Sequence, residues 1–209
     1  MARPPLTAVQ RADLDAHQRS QVLGGLAACI DRKGYGATTI ADIAAAARTS
    51  KSTVYAHFSD KEAVFLALYS TASDNVLAVI DEADGEARAA GLGWRERLEA
   101  IVGAYLTAMA GGAALTRCLL IEVQAVSPRA LRLRRDVLDR YVRLFARITR
   151  EITRGRPELR APSPALLLGA LGGINEHMLR AVEDGPPRLR GVTADATDLL
   201  ERILQRKDP

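Results

Sequence analysis

Aromatic residues make up only 4% of this 209-residue chain, which also contains just two cysteines and three histidines. The two thiols lie far apart in the sequence, within apolar helical patterns, so they indicate reduced core cysteines rather than a disulfide framework. No Cys or His has the spacing of a metal-ligand set, and no glycine-rich phosphate loop occurs. We therefore expect no metal, no cofactor and no enzymatic activity.

Runs of β-branched and aromatic residues that are typical of strands are missing too. The longest apolar stretch, residues 98–115, is rich in Gly and Ala, is interrupted by Thr107, and is too short and weak to cross a bilayer. The N-terminus shows no signal-peptide pattern of charged and then apolar residues. Hydrophobic residues make up 48% of the chain, with abundant Ala and Leu, which favours helices. The sequence predicts an all-α, cytoplasmic protein with no membrane partner.

Positive charge is concentrated in two regions. Residues 1–61 contain eight basic and five acidic residues, and residues 129–160 contain eleven Arg and four acidic residues. This distribution permits nucleic-acid binding without establishing it. Five arginines of the second region form one stripe of a predicted helix: Arg140, Arg143, Arg147, Arg150 and Arg154. We expect a solvated face that pairs in part with acidic residues elsewhere, and a second nucleic-acid site is the alternative.

Apolar periodicity predicts helices along nearly the whole chain. After a flexible arm over 1–12, helices are predicted over 13–33, 39–47, 51–57, 59–82, 94–111, 114–126, 128–154, 163–183 and 193–206. An acidic, Gly-rich loop is expected over 84–93. Thr39 followed by Asp42 is a variant of the capping box that starts a helix, and Ser50 is a good N-cap for the next one.

The two short helices and the brief gap between them are typical of a helix-turn-helix, whose second helix enters the DNA major groove. The Ser50 cap leaves free N–H groups and a positive dipole end that can face a phosphate. Val54 and Phe58 point inward, which leaves the polar side chains outward. We predict DNA contacts from Thr39, Arg48, Ser50, Lys51, Ser52, Thr53, Tyr55, His57 and Lys61. Each of these residues alone also fits a cap, a packed aromatic or a solvated charge, and their combination at one spacing favours DNA.

The stretch GYGATTIADIAAAARTSKSTVYAHFSDKEAVF, residues 34–65, resembles the N-terminal domain of tetracycline-repressor (TetR) family transcriptional regulators. The resemblance covers residues 13–70. It implies a homodimer with one helix-turn-helix per subunit, double-stranded DNA as a partner, and a C-terminal domain that binds a small-molecule effector. Two positions differ from the family pattern, which usually has Gly at the place of Arg48 and often at that of Ser52. Two interpretations are open for Arg48, a slightly different turn or a phosphate contact, and Ser52 is expected to change the sequence preference. Repression of transcription is what the family resemblance favours.

The predicted architecture is a three-helix N-terminal DNA-binding domain over 13–60 and a larger helical bundle over 61–207 for effector binding and dimerisation. An apolar pocket with a few polar anchors is expected among the helices from 94 onwards. Its candidate lining residues are Trp94, Tyr105, Met109, Cys118, Glu122, Tyr141 and Phe145. The candidate dimer residues on the last two helices are Leu167, Leu171, Ile174, Leu199, Leu200 and Ile203. Ordinary core packing is the alternative for every member of both sets.

Two other functions compete with a regulator. An enzyme is the first, and His177 beside Glu176 is the only histidine whose neighbours suggest a site; a polar patch at a dimer interface explains it better. The second is a protein of the same fold that has lost DNA binding and acts through partners. The complete set of Lys, Tyr and His residues at 51–61 argues against this second function.

Overall fold

The computed structural model describes residues 7–111, 116, 118–183 and 189–205. Within those ranges the chain is helical and has no β-strand; one isolated bridge pairs Leu159 with Gln205. The helices are α1 (Ala8–Lys33), α2 (Ile40–Ala46), α3 (Lys51–His57), α4 (Lys61–Ala89), α5 (Trp94–Ala110), α6 (Val123–Val126), α7 (Pro128–Thr153), α8 (Pro164–Glu183) and α9 (Leu189–Leu204). A π-helical turn, Cys118–Glu122, precedes α6. The chain forms two compact units, Met1–Ser70 and Thr71–Pro209.

The first helix starts earlier than the sequence analysis predicted. Thr7 and Gln10 form a capping box: the Thr7 hydroxyl accepts from the Gln10 N–H at 3.2 Å, and the Gln10 side chain accepts from the Thr7 N–H at 3.0 Å. These two bonds satisfy backbone donors that a helix start otherwise leaves open. The predicted flexible arm is therefore wrong for residues 7–12, and its other residues lie outside the described part.

Close contact between α1 and α2 defines the core of the first unit. A Cβ placed on Gly25 would lie 2.8 Å from the carbonyl oxygen of Ile43 and 2.9 Å from the Ala47 nitrogen, so only glycine permits this approach. Around the contact, Val22, Leu26 and Ile43 are fully buried. Direct contact between the main chains of α1 and α2 thus fixes how the two helices cross.

The starts of α2 and α3 agree with the prediction. Thr39 and Asp42 form a capping box, and Ser50 accepts a hydrogen bond from the Thr53 N–H at 3.0 Å. Lys33 also pairs with Asp42 at 2.8 Å, which ties the end of α1 to the start of α2. The Lys33 hydrogen bond, with those of Thr39, holds the pKa of the Asp42 carboxyl far below its usual value. Because the folded pKa is depressed, this contribution to stability is present at neutral pH and is lost only as the pH falls into the acid range.

In the second unit, α4 continues to Ala89, so the predicted loop is wrong for residues 84–89. Asp84 is almost fully buried and accepts from the Arg97 guanidinium at 2.6 Å, and Arg97 also donates to Glu151 at 2.9 Å. The Arg97 hydrogen bond lowers the pKa of the Glu151 carboxyl. The acidic residue Asp84 therefore belongs to a buried ion pair within a helix and not to a loop. Gly85 lies inside the same helix.

The length and composition of α4 also satisfy the criteria for a membrane-crossing helix, alone among the described helices. Core helices of soluble proteins meet the same criteria, so this property is weak support for membrane insertion.

The arginine stripe of α7 pairs in part with aspartates of α4, as predicted. Arg140 lies 2.6 Å from Asp74, and Arg147 contacts both Asp81 and, at 3.7 Å, Asp84. Arg143 remains exposed. The ion pairs to α4 and the apolar stripe of α7 thus both stabilise the packing of α7 in the second unit.

The last helices close the second unit. α8 packs on α7, and α9 packs on both α5 and α8. The segment after α7 joins the end of α9 through the N–H of Arg160, which donates to the Leu204 carbonyl at 2.8 Å. The bounds of α5, α7 and α8 agree with the predicted helices, whereas α9 begins at Leu189, earlier than predicted.

Two neighbouring glycines of α1 test the packing of the first unit. Gly25→Ala should lower the free energy of unfolding by about 1–3 kcal/mol, because the new methyl group would overlap the α2 backbone. Gly24→Ala is the matched control: nothing lies within 4 Å of its Cβ position, so higher helix propensity should raise stability by up to ~1 kcal/mol. Urea unfolding followed by circular dichroism measures both changes. Equal stability of the two variants would contradict the described contact.

Candidate functional site

The N-terminal end of α3 presents a cluster of hydroxyl groups. Besides capping the helix, the Ser50 hydroxyl shares hydrogen bonds with the hydroxyls of Ser52 at 2.6 Å and Thr53 at 2.9 Å. Lys51 and Ser52 are exposed, and the Tyr55 side chain is 56% exposed one turn later. Val54 points the other way and is fully buried. The hydroxyl groups, the Lys51 ammonium and the Tyr55 phenol therefore lie on the exposed surface of one helix. Groups of this kind can hydrogen bond to base edges and phosphates.

The turn before α3 contains the one non-glycine residue with positive φ in the described structure, Arg48, at φ 52°. Its N–H donates to the Ala45 carbonyl at 3.1 Å, and the next N–H, of Thr49, donates to the Ala44 carbonyl at 2.9 Å. The left-handed region costs a non-glycine residue roughly 1–2 kcal/mol. The backbone of the turn thus has a conformation that suits glycine, yet the residue at this exposed position is Arg48.

Thr39 and Lys61, two further predicted DNA contacts, make hydrogen bonds within the first unit. The Thr39 hydroxyl donates to the Asp42 carboxylate at 2.6 Å as part of the α2 cap. The Lys61 ammonium donates to the Tyr35 carbonyl at 3.0 Å and to the Gly36 carbonyl at 3.4 Å, and it lies 4.2 Å from the centre of the Tyr35 ring. Lys61 therefore stabilises the connection between α1 and α2.

His57 points into the unit rather than outward. Its side chain is only 6% exposed, its Nε2 lies 3.2 Å from Gln18 Oε1, and its Nδ1 lies 3.4 Å from Asp15 Oδ1. The hydroxyl, lysine and tyrosine groups of α3 thus lie on an exposed surface, Arg48 is exposed in the turn before them, and His57 faces α1. Asp15 and Gln18 were not predicted as site residues, because no periodic pattern reports a polar contact between residues as far apart as Gln18 and His57, 39 positions.

Among the cavities lined by described residues, the candidate pocket residues of the second unit are divided between two. Tyr105 and Phe145 line a narrow apolar space inside the bundle, where the Tyr105 ring lies 6.0 Å from that of Tyr141 and its hydroxyl donates to Asn175. The guanidinium of Arg95 lies 4.4 Å from the centre of the Trp94 ring. Cys118 and Glu122 are the two ends of the π-helical turn.

Met109 lines a separate cleft of about 250 Å³. Its other lining residues come from α4, α5 and the segment that follows: Ala72, Asn75, Val76, Val79, Ala108, Gly111, Thr116 and Leu119. The lining is mainly apolar, with the Asn75 amide and the Thr116 hydroxyl as polar groups. This is the character of a small-molecule site.

Most of the candidate dimer residues lie inside the chain. Leu167, Leu171, Ile174 and Leu200 are buried and line the same narrow space as Tyr105 and Phe145, so the prediction that they form a surface between subunits does not fit their placement. Ile203 is half-buried and Leu199 is exposed. The apolar stripe of α8, predicted to form an interface, packs against the bundle instead. The exposed large apolar residues of these helices are Leu166, Leu168 and Leu199.

Residues 23–68 match the family described as "Bacterial regulatory proteins, tetR family". A bacterial regulatory protein in the tetR family from Rhodococcus RHA1 is 27% identical, with a TM-score of 0.66 over 93% of this chain and 98% of that one. The fatty acid degradation regulator FadR from Bacillus halodurans is 19% identical, with a TM-score of 0.78 over 90% and 97% of the two chains.

The transcriptional regulator FadR from Bacillus subtilis, in complex with stearoyl-CoA, is 16% identical, with a TM-score of 0.71 over 88% of this chain and 97% of that one. At these identities both FadR proteins show the shared fold alone. No curated protein is significantly similar to the chain in sequence.

Arg48 provides a test of the turn geometry. Arg48→Gly should raise the free energy of unfolding by up to about 1 kcal/mol, because glycine adopts positive φ without the Cβ clash and offsets part of that gain by greater freedom in the unfolded chain. Arg48→Ala is the matched control, since it removes the guanidinium and keeps the Cβ; its stability should stay within ~0.5 kcal/mol of the parent. Urea unfolding measures both variants. A gain shared equally by Ala and Gly would show that the side chain, not the backbone, is the source.

Proposed function

Because the chain belongs to the tetR family of bacterial regulatory proteins, we propose that it is a cytoplasmic, non-enzymatic transcriptional repressor. It binds a palindromic operator as a homodimer, and a small-molecule effector releases it from the DNA. The observation that carries the DNA-binding part is the open surface of α3, where Lys51, Ser52 and Tyr55 are exposed on a helix capped by Ser50.

The proposed DNA contacts divide by chemistry. Lys51 and Ser52 lie at the N-terminal end of α3, the part of a recognition helix that meets base edges, so they read sequence. Arg48 in the turn and the Tyr55 hydroxyl bind phosphate oxygens and set the position of the helix on the duplex. Lys61, whose ammonium already donates to two carbonyls, adds at most a shared contact to the flanking backbone.

The proposed dimer forms through the outer faces of α8 and α9. Leu166, Leu168 and Leu199 are exposed there, and α8 also has outward glycines at 169, 172 and 173 whose Cβ positions meet nothing within 4 Å. Each glycine in a helix costs about 1 kcal/mol relative to alanine, so three in five residues need a compensating role. Close approach of the same face of a second copy supplies that role, as in an isologous interface.

The proposed effector site is the cleft of about 250 Å³ lined by Met109 and by apolar residues of α4. An effector there binds mainly through apolar contacts, with Asn75 and Thr116 as candidate anchors. A protein of the same fold is known in complex with stearoyl-CoA, so the architecture is compatible with a small-molecule site. Release from DNA follows if the effector favours a dimer whose two recognition helices no longer stand one DNA turn apart, ~34–36 Å. Reversing a 99:1 preference needs ~5.5 kcal/mol of differential affinity.

Selection of bound duplexes from fragments of the source genome, followed by gel shifts on the selected operator, tests DNA binding. Lys51→Ala should weaken operator binding by about 1–3 kcal/mol and relax the preference at one base position, because it removes a base contact. Arg135→Ala is the control: it removes the same charge from an exposed position of α7 and should leave affinity unchanged. Equal, weak binding of the parent protein to every duplex at physiological salt would exclude an operator, and would favour a protein of this fold that acts through partners.

Gly172→Leu tests the dimer face. Apart from its chain neighbours and its own helix backbone, no atom of the same chain lies within 4 Å of the Cβ position of Gly172, so the monomer should keep its fold, but the bulk would separate two α8 helices in contact. We expect the variant to sediment as a monomer at concentrations where the parent protein is a dimer. Gly24→Leu, equally open on α1, is the control and should leave the dimer intact. An unchanged dimer in the Gly172 variant would place the interface elsewhere.

A further inference from the structure

The orientation of α3 depends on very few contacts. The helix has seven residues; Val54 is the only one that is fully buried, and the His57 side chain, at 6% exposed, is the other enclosed group. A helix of this length is not stable by itself in water, so its neighbours fix its direction. Val54 anchors its middle, and the direction of its C-terminal end therefore depends on what holds His57 and Phe58.

Three residues of α1 contact that end. Asp15 and Gln18 face the two ring nitrogens of His57 at 3.4 Å and 3.2 Å, and the Arg19 guanidinium lies 4.7 Å from the centre of the Phe58 ring. Positions 15, 18 and 19 share one face of a helix because they are three and four residues apart. We call Asp15, Gln18 and Arg19, with His57 and Phe58, the α1–α3 clamp.

The α1 residues of the clamp lie on a part of that helix that contributes nothing to the apolar core. Residues 7–17 are exposed, and the first buried residue of α1 is Val22. The capping box at Thr7 nevertheless starts the helix four turns before the core begins. A helical extension that stays solvated needs a reason other than burial, and the clamp is the contact that it makes to α3.

We propose that Asp15, Gln18 and Arg19 are positioning residues for DNA reading: they set the angle of α3 through His57 and Phe58, and His57 acts through α1 rather than on a phosphate. This inference rests on the proposed function, because it needs α3 to lie on DNA. The enclosed ring of His57 supports it, since both nitrogens face oxygens of α1 and the side chain is 6% exposed. A phosphate contact would require this arrangement to break.

Removal of the Asp15 charge tests the proposal, because charge alone and positioning predict opposite changes in DNA affinity. The Asp15 side chain is 71% exposed and negative, so long-range repulsion from DNA is relieved when it is removed. Charge alone therefore predicts tighter DNA binding for Asp15→Ala. Positioning predicts weaker binding, because the C-terminal end of α3 loses a partner.

The experiment measures affinity of the full chain for the selected operator as a function of salt. Asp15→Ala combined with Gln18→Ala should weaken binding about three- to tenfold, with an unchanged salt slope because no phosphate contact is removed. Asp13→Ala, which removes the same charge from another exposed position of α1, should bind as the parent or slightly tighter. Asp15→Asn should retain parental affinity, since its amide can still hydrogen bond to the imidazole.

The outcomes separate this inference from the proposed function. If the parent protein selects no operator, the proposed function fails. If the parent binds its operator and the double variant matches Asp13→Ala, or binds tighter, the clamp has no positioning role. A salt slope lowered by about one in His57→Ala would also overturn the inference, because it would show a direct phosphate contact. The single Asp15→Ala change lies at the surface and leaves the core untouched, so the sign of its effect decides the matter even if the double variant loses part of α1.

Discussion

A helix of seven residues is not stable by itself, so the elements that it packs against set its orientation. The organisation of the first unit follows from that constraint. α3 has one fully buried residue, Val54, so its position depends on the rigidity of what it packs against. That rigidity comes from α1 and α2, which approach until the Gly25 position meets the Ile43 carbonyl. Capping boxes at Thr7 and Thr39 and the Lys33–Asp42 pair fix the helix ends around this contact. The polar surface of α3 is thereby presented without being part of the core.

Local signals in the sequence predicted the elements of the first unit well. Thr39 with Asp42, and Ser50 before Lys51, mark helix starts because side-chain caps act over three residues and need no tertiary context. The same logic was available at Thr7 and Gln10, yet the neighbouring prolines and the lack of apolar period favoured an arm. At Asp84 the error has another cause: acidity and a nearby glycine indicate a loop only when the acid faces water, and here it faces Arg97.

Positions set by distant contacts could not be read from the sequence. His57 has the polar character of a DNA contact, but its direction is decided by Gln18, which no periodicity relates to it. In the second unit, the apolar residues of α8 looked equally suited to an interface, a pocket or a core. Leu167 and Leu171 have the same chemistry as Leu166 and Leu168, and only the packing of α8 on α7 and α9 determines which pair is covered. The placement of the arginine stripe was easier to predict, because aspartates on α4 were available to pair with it.

The backbone contact at Gly25 has a consequence for how proteins of this kind diversify. Where two helices meet through side chains, compensating substitutions can gradually rotate one against the other; where they meet through main-chain atoms, no such series of small steps exists. A side chain at Gly25 therefore disturbs the support beneath α3 in a single step. Exposed positions such as Lys51 lie outside this contact, so their side chains can be exchanged without disturbing it.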